Sequence, residues 1–197
     1  MPINVPVLTG RAAQLEPLDE QHREGLRGAA DDERIWTFML VNGRGPGFDA
    51  WMDAAFAQRA AGRQFPFAVR RLADGKLVGS TSFLDLELRH KRVEIGSTWY
   101  NPEVWQTAVN PECKLLLLMH AFEVLAVNRV SLVTDVRNER SQAAIAKLGA
   151  KREGVLRAHM VTRGGRVRDS VLFSITAAEW PGVKERLAGR LAAAEPG

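Results

Sequence analysis

The stretch that most constrains the fold runs from Val93-Glu94-Ile95-Gly96-Ser97-Thr98-Trp99-Tyr100 through a short loop to Asn110-Pro111-Glu112. The first part is rich in strand formers. The second carries the signals of a helix start, with Asn110 as N-cap, Pro111 at the first helical position and Glu112 in the first turn. A strand that feeds a helix N-terminus presents unbonded backbone N–H groups and the positive end of a dipole, which together suit a phosphate. Leu115, Leu118, Met119, Phe122 and Leu125 then recur at helical spacing, and Asn128 ends the helix.

The flanking segments place this junction in a mixed sheet. Alternation and turn residues predict a first strand over residues 7–15, ended by Pro17, and a helix capped by Asp19 running to about Ala30. A glycine-rich loop, residues 42–47, precedes a helix over residues 49–61. Strands over residues 65–71 and 77–86 flank Asp74-Gly75, a strong hairpin signal because glycine accepts positive φ. After the central strand and helix come a strand at residues 129–135 and a helix over residues 138–148 stopped by Gly149. A hairpin around Gly164-Gly165 follows, then a short helix capped by Thr176 and an Ala-rich tail that frays from Gly189. The order β-αα-βββ-α-β-α-ββ gives a mixed α/β fold. Its sheet is mostly antiparallel, with about seven strands, helices on both faces and one parallel pair around the capped helix.

With 197 residues and neither an internal repeat nor a linker, the chain reads as one domain over 1–197, with its core at about 7–181. No apolar run approaches the roughly 18–20 residues that span a bilayer, and the N-terminus lacks the pattern of a signal peptide. A single cysteine, Cys113, excludes an intrachain disulfide and suits a reducing cytoplasm. The net charge of +4 is dispersed; only Arg157, Arg163, Arg166 and Arg168 group, near the last hairpin. Without base-stacking aromatics beside them, that group argues against nucleic acid and for a solvated face or an anionic ligand. The hairpin itself is a surface that could be solvated or could pair two copies as a homodimer. The histidines at 22, 90, 120 and 159 show no metal spacing. Cys113 and His120 are separated by about 10.5 Å along one helix, too far for a dyad.

The chain resembles the GNAT superfamily of acyl-CoA N-acyltransferases, and within it the branch of the ribosomal-protein acetyltransferases RimJ and RimL. The resemblance rests on Leu8-Thr9-Gly10-Arg11, Leu15-Glu16-Pro17-Leu18, Val78-Gly79-Ser80-Thr81 and Val93-Glu94-Ile95-Gly96 with Trp99. It continues through Thr134-Asp135-Val136-Arg137-Asn138-Glu139-Arg140-Ser141, Lys147-Leu148-Gly149-Ala150, Glu153-Gly154-Val155-Leu156-Arg157 and residues 169–175. One segment departs from the family. Its pyrophosphate loop reads Gln/Arg-x-x-Gly-x-Gly/Ala, and here Trp105, Ala108 and Asn110 occupy the signature positions. Because such a loop works through backbone N–H groups, the substitutions are compatible with CoA binding.

The resemblance implies an N-acetyltransferase in which an amine attacks acetyl-CoA directly in a ternary complex, without a metal. It implies cofactor contacts at Trp99, Tyr100, Gln106, Thr107, Ala108, Val109, Asn110, Asn138, Ser141 and Lys147, with the pantetheine arm between two splayed strands. The acceptor is a protein N-terminus or a small amine, and the family's pattern places its pocket at residues 34–38, Trp51, Ser82-Phe83, His159 and Arg168. Trp36, Phe38 and Trp51 fit a packed core better than a ligand wall. Glu94 is the candidate general base, since a carboxylate in mid-sheet is costly unless it is bonded or serves a purpose. The alternative is a structural carboxylate paired with an arginine on a neighbouring strand. Alternation from Glu94 sets Gly96 and Thr98 on its face. Asp85 is a weaker candidate near a strand end. Ser141 is the candidate acid for the departing thiolate, or else a local partner of the Asn138 cap. Tyr100 fits a wall of the cofactor groove better than a proton donor. A non-catalytic acyl-CoA-binding regulatory module is the rival to the enzyme.

Overall fold

The computed structural model describes residues 5–193. A single sheet of eight strands organises them, in the spatial order β1-β2-β3-β4-β5-β6-β8-β7. The strands are β1 (Leu8–Thr9), β2 (Ala13–Pro17), β3 (Gln64–Arg71), β4 (Leu77–Glu87), β5 (Arg92–Tyr100), β6 (Arg129–Asp135), β7 (Lys151–Val161) and β8 (Val167–Thr176). All neighbours are antiparallel except β5 and β6. Helices α1 (Arg23–Ala29), α2 (Glu33–Trp36) and α3 (Gly47–Ala60) pack on one face, in a core with Leu18, Ala68 and Trp99. Helices α4 (Val109–Met119), α5 (Glu139–Leu148) and α6 (Trp180–Ala193) cover the other, over Val69, Val93, Ile95, Val130 and Phe173. Alternate strand residues point to opposite faces, so Ala68 joins one core while its neighbours Phe67 and Val69 join the other.

Five local expectations change. The first strand is broken at Gly10 into β1 and β2, which gives eight strands rather than about seven. The break is set from a distance: the buried Glu112 carboxylate accepts the backbone N–H groups of Arg11, Ala12 and Ala13 at 2.8, 2.7 and 2.7 Å. A Cβ on Gly10 would lie 2.3 Å from that carboxyl carbon. Asn110 is not the cap, because α4 begins at Val109 and the Thr107 hydroxyl accepts the Val109 N–H at 3.3 Å. Asn110 and Pro111 lie inside the first turn, where a missing N–H leaves no helical bond unmade.

The buried side of α4 is turned by one residue from the expected stripe. Cys113, Lys114, Leu117, Leu118 and Ala121 are buried, whereas Leu115 and Met119 are only partly so. Residues 115–119 are all apolar, so their periodicity leaves the facing side undetermined. The regular helix also stops at Met119 and passes into a wider π turn, His120–Val124. Finally, α6 continues through Gly189 to Ala193, with Leu187 buried, Leu191 against the core and Arg190 bonded to the Lys147 carbonyl.

Candidate active site

The parallel pair fixes the site. β5 and β6 are in register only at Arg92–Arg129, Val93–Val130 and Glu94–Ser131. Beyond Glu94, β5 pairs only with β4, and beyond Ser131, β6 pairs only with β8. The strands therefore fork, and among the described residues the facing edge of residues 95–100 has no strand partner. Where each strand ends, a helix begins: α4 after β5 and α5 after β6. Two helix N-termini thus flank the mouth of the fork, each with its positive dipole end.

Glu94 lies at the root of the fork, half-buried. Among the described residues no hydrogen bond or ion pair reaches its carboxylate. Burial raises its pKa to about 7, helped by the negative charge of Asp85, while Arg168 works the other way. The arginine-paired alternative is therefore not what the fold builds; Arg168 acts only at a distance, itself bonded to the Ser170 hydroxyl at 3.0 Å. Asp85 is exposed, at φ 47°. Gly96 makes room for the carboxylate, since a Cβ there would approach Glu94 Oε1 to 3.0 Å and the Leu84 side chain to 2.7 Å.

Thr98 does not share the Glu94 face. Ser80 pairs with Trp99 and Ser82 with Gly96, so β5 carries an extra residue, and Ser97 takes a positive φ of 46°. This bulge reverses the alternation. The Thr98 hydroxyl consequently meets α4, where Lys114 Nζ donates to it at 2.9 Å and to Thr81 Oγ1 at 3.2 Å. Trp99 turns instead into the α1–α3 core, with ring centroids 5.5 Å from Trp36 and 5.4 Å from Trp51. Trp36 and Trp51 are core residues, whereas Phe38 lines the cleft described below. The Tyr100 hydroxyl is buried against Cys113, and burial pushes the phenol up and the thiol to about 12. What Trp99 and Tyr100 offer the fork is backbone.

Between Asn101 and α4 the chain makes a short 3-10 turn, Pro102–Val104, and a loop with Gln106 at φ 66°. Among the described residues the amides of Gln106, Ala108 and Asn110 donate to no protein acceptor. Trp105, in a signature position, donates its ring N–H to the Tyr100 carbonyl at 3.0 Å. The Arg140 guanidinium stacks 3.7 Å from its ring centroid and that of Arg34 lies 5.5 Å away. Burial lowers the Arg140 pKa, and the like charge of Arg34 adds to this. Arg34, Trp105 and Arg140 join Thr37, Phe38, Arg137, Asn138 and Glu139 around a cleft of about 390 Å³. The sequence marked Trp105 only as a departure; its stacking partners come from distant elements.

Asn138 caps α5, its Oδ1 accepting the Ser141 N–H at 3.1 Å. Asp135 holds the preceding turn through the Arg137 N–H at 2.9 Å. The Ser141 hydroxyl is half-buried in the first helical turn with no partner among the described residues. Lys147 lies apart, exposed in the last turn of α5, and His159 is exposed on β7. Among the described residues no group of three or more His, Cys, Asp or Glu could hold a metal ion, and no helix is long and apolar enough to cross a membrane.

A sheet that is continuous to one carboxylate and forked beyond it, with a helix N-terminus at the end of each prong, defines a fold that can hold a linear anionic ligand edge-on between two strands. The chain belongs to the acetyltransferase (GNAT) domain family, whose model matches residues 13–151. The protein named "Putative ribosomal N-acetyltransferase YdaF" from Bacillus subtilis (strain 168) is 33% identical over 113 residues, 57% of this chain and 61% of its own length. The chain thus spans about three fifths of the curated relatives it matches. A GCN5-related N-acetyltransferase from Brucella melitensis superposes with a TM-score of 0.89 at 28% identity, covering 97% of this chain and 87% of that one. RimJ of Mycobacterium smegmatis, solved in complex with CoA-disulfide, shares the fold at 21% identity, with a TM-score of 0.76 over 90% of this chain and 88% of its own.

Proposed function

We propose that the chain is an N-acetyltransferase that moves an acetyl group from acetyl-CoA to a primary amine by direct attack. The observation that carries this reading is the unpaired β5 edge beyond Glu94, with an unbonded, half-buried carboxylate at its root. The residues fit CoA. The free amides of Gln106, Ala108 and Asn110 and the N-terminus of α4 suit a pyrophosphate, and Arg137 and Arg140 add positive charge at the mouth. The unpaired strand edge suits the amides of a pantetheine arm.

When bound, acetyl-CoA supplies an activated acyl group on a thiol leaving group. Glu94, poised near neutral pH, accepts the proton of the acceptor's ammonium directly or through a water. Backbone N–H groups at the bulge hold the acyl oxygen as its charge grows. The Ser141 hydroxyl, at the positive end of α5, donates to the departing sulfur. Trp99, Tyr100 and residues 106–110 contribute main chain, and Asn138 positions Ser141; Lys147 is the contact the geometry favours least. The acceptor is a protein N-terminus or a small amine, and the ribosomal target in YdaF's name favours the former.

The test is release of free thiol from acetyl-CoA against a panel of amines and N-terminal peptides. Turnover with at least one acceptor is expected. CoA binding without turnover on any acceptor would instead favour a non-catalytic acyl-CoA-binding module.

A further inference from the structure

Lys114 is the one lysine buried in the described core, and the chemistry above leaves it unused. It rises from α4 against the back of the β5 bulge. Its ammonium has two acceptors, the hydroxyls of Thr81 and Thr98, and no carboxylate partner among the described residues. Those hydroxyls lie 2.7 Å apart, and Thr98 Oγ1 donates onward to the Gly96 carbonyl at 3.2 Å. That carbonyl belongs to the same peptide unit as the Ser97 N–H, at the residue whose positive φ makes the bulge. Hydrogen bonds in series polarise one another, so a cation at the start of this relay strengthens the Ser97 N–H as a donor. A methionine would fill the same space without the desolvation that an ammonium suffers. The charge is retained at a cost to the fold, opposite the fork.

We propose that Lys114 is a positioning residue for acetyl transfer: through Thr98 its buried ammonium fixes and polarises the Gly96–Ser97 peptide, so that the bulge presents a strengthened donor to the acyl oxygen. This rests on the acetyltransferase reading. Burial holds the Lys114 pKa down at about 8, with Cys113 on its own helix acting in the opposite direction. The groups facing it from β4 and β5 are the two threonine hydroxyls, which do not titrate; Tyr100 faces Cys113, and Glu112 is engaged by the β1–β2 turn. The relay is therefore charged at neutral pH and discharged above about 8.

Two variants test it, Lys114→Met and Thr98→Val, the second sparing the lysine in case the first does not fold. The first readout needs no acceptor: the carbonyl stretch of carbon-13-labelled acetyl-CoA bound to each protein. In the wild type it shifts to lower frequency than in water, and both variants lose most of that shift while CoA affinity stays within about twofold. With an active acceptor, kcat falls about tenfold in each variant at nearly constant KM. The decline of wild-type kcat above about pH 8 disappears in Lys114→Met. A carbonyl shift equal in all three folded proteins, or an unchanged alkaline limb in Lys114→Met, would overturn the proposal. A wild type that binds no acetyl-CoA would overturn the acetyltransferase reading instead.

Discussion

Replacing Glu94 with glutamine separates two consequences of its position, and they have opposite signs. The carboxyl is held at about 7 rather than 4.5, chiefly because burial penalises the charged form and Asp85 adds a like charge. Such a displacement corresponds to about 3 kcal/mol of differential stability between the two protonation states. Because the folded value lies above the unfolded one, the stabilising contribution is complete below about pH 4.5 and is lost as pH rises through 7. At about pH 8 the wild type therefore carries an unpaired, half-buried carboxylate that costs about 3 kcal/mol, and Glu94→Gln relieves it. The assay is urea unfolding of both proteins between about pH 5 and 8. The variant should gain on the wild type across that range, reaching about 3 kcal/mol in unfolding free energy at the alkaline end. Over the same range it should lose about 10²–10⁴ in kcat/KM, together with the acid limb near 7. A stability difference that does not vary with pH would refute the reasoning, because it would place the carboxylate in water or in an ion pair. Greater stability combined with full activity would keep the electrostatics and remove Glu94 from the chemistry.

The other predictions concern the scaffold around the fork. Glu112→Gln removes the charge that organises three backbone amides of the β1–β2 turn and should cost about 3 kcal/mol by chemical denaturation. At Gln106, a substitution to valine should lose about 1–2 kcal/mol because a β-branched residue resists a φ of 66°, whereas glycine should not; calorimetric CoA titration of the glycine variant should match the wild type if the loop binds through its amides. His120 is buried against Phe83 with its pKa lowered by desolvation, so it contributes stability above about pH 6.5 that is lost on acidification. That slope is opposite to the one from Glu94 and should vanish in His120→Leu, as followed by thermal melts.

Where a signal was local, residues alone located the element. Asn138 with Ser141, the Gly149 stop at φ 99° and the Asp74-Gly75 turn are each written within a few positions, and the order of elements followed from them. Where a partner decides the geometry, one sequence could not. No glycine marks the left-handed residue of the bulge, because Gly96 precedes it, and the extra residue exists only relative to β4. Strict alternation therefore assigned Thr98 to the wrong face. The same limit hid Lys114, since an all-apolar run at residues 115–119 has no preferred side and a lysine beside it reads as solvent-facing. These two failures are coupled. The bulge turns the Thr98 hydroxyl toward α4, and that hydroxyl is one of the two acceptors that make a buried ammonium tolerable. Both residues stand behind the strand edge where β5 leaves β6. Local rules fail here together because the chain departs from regular pairing at the place where β5 and β6 part.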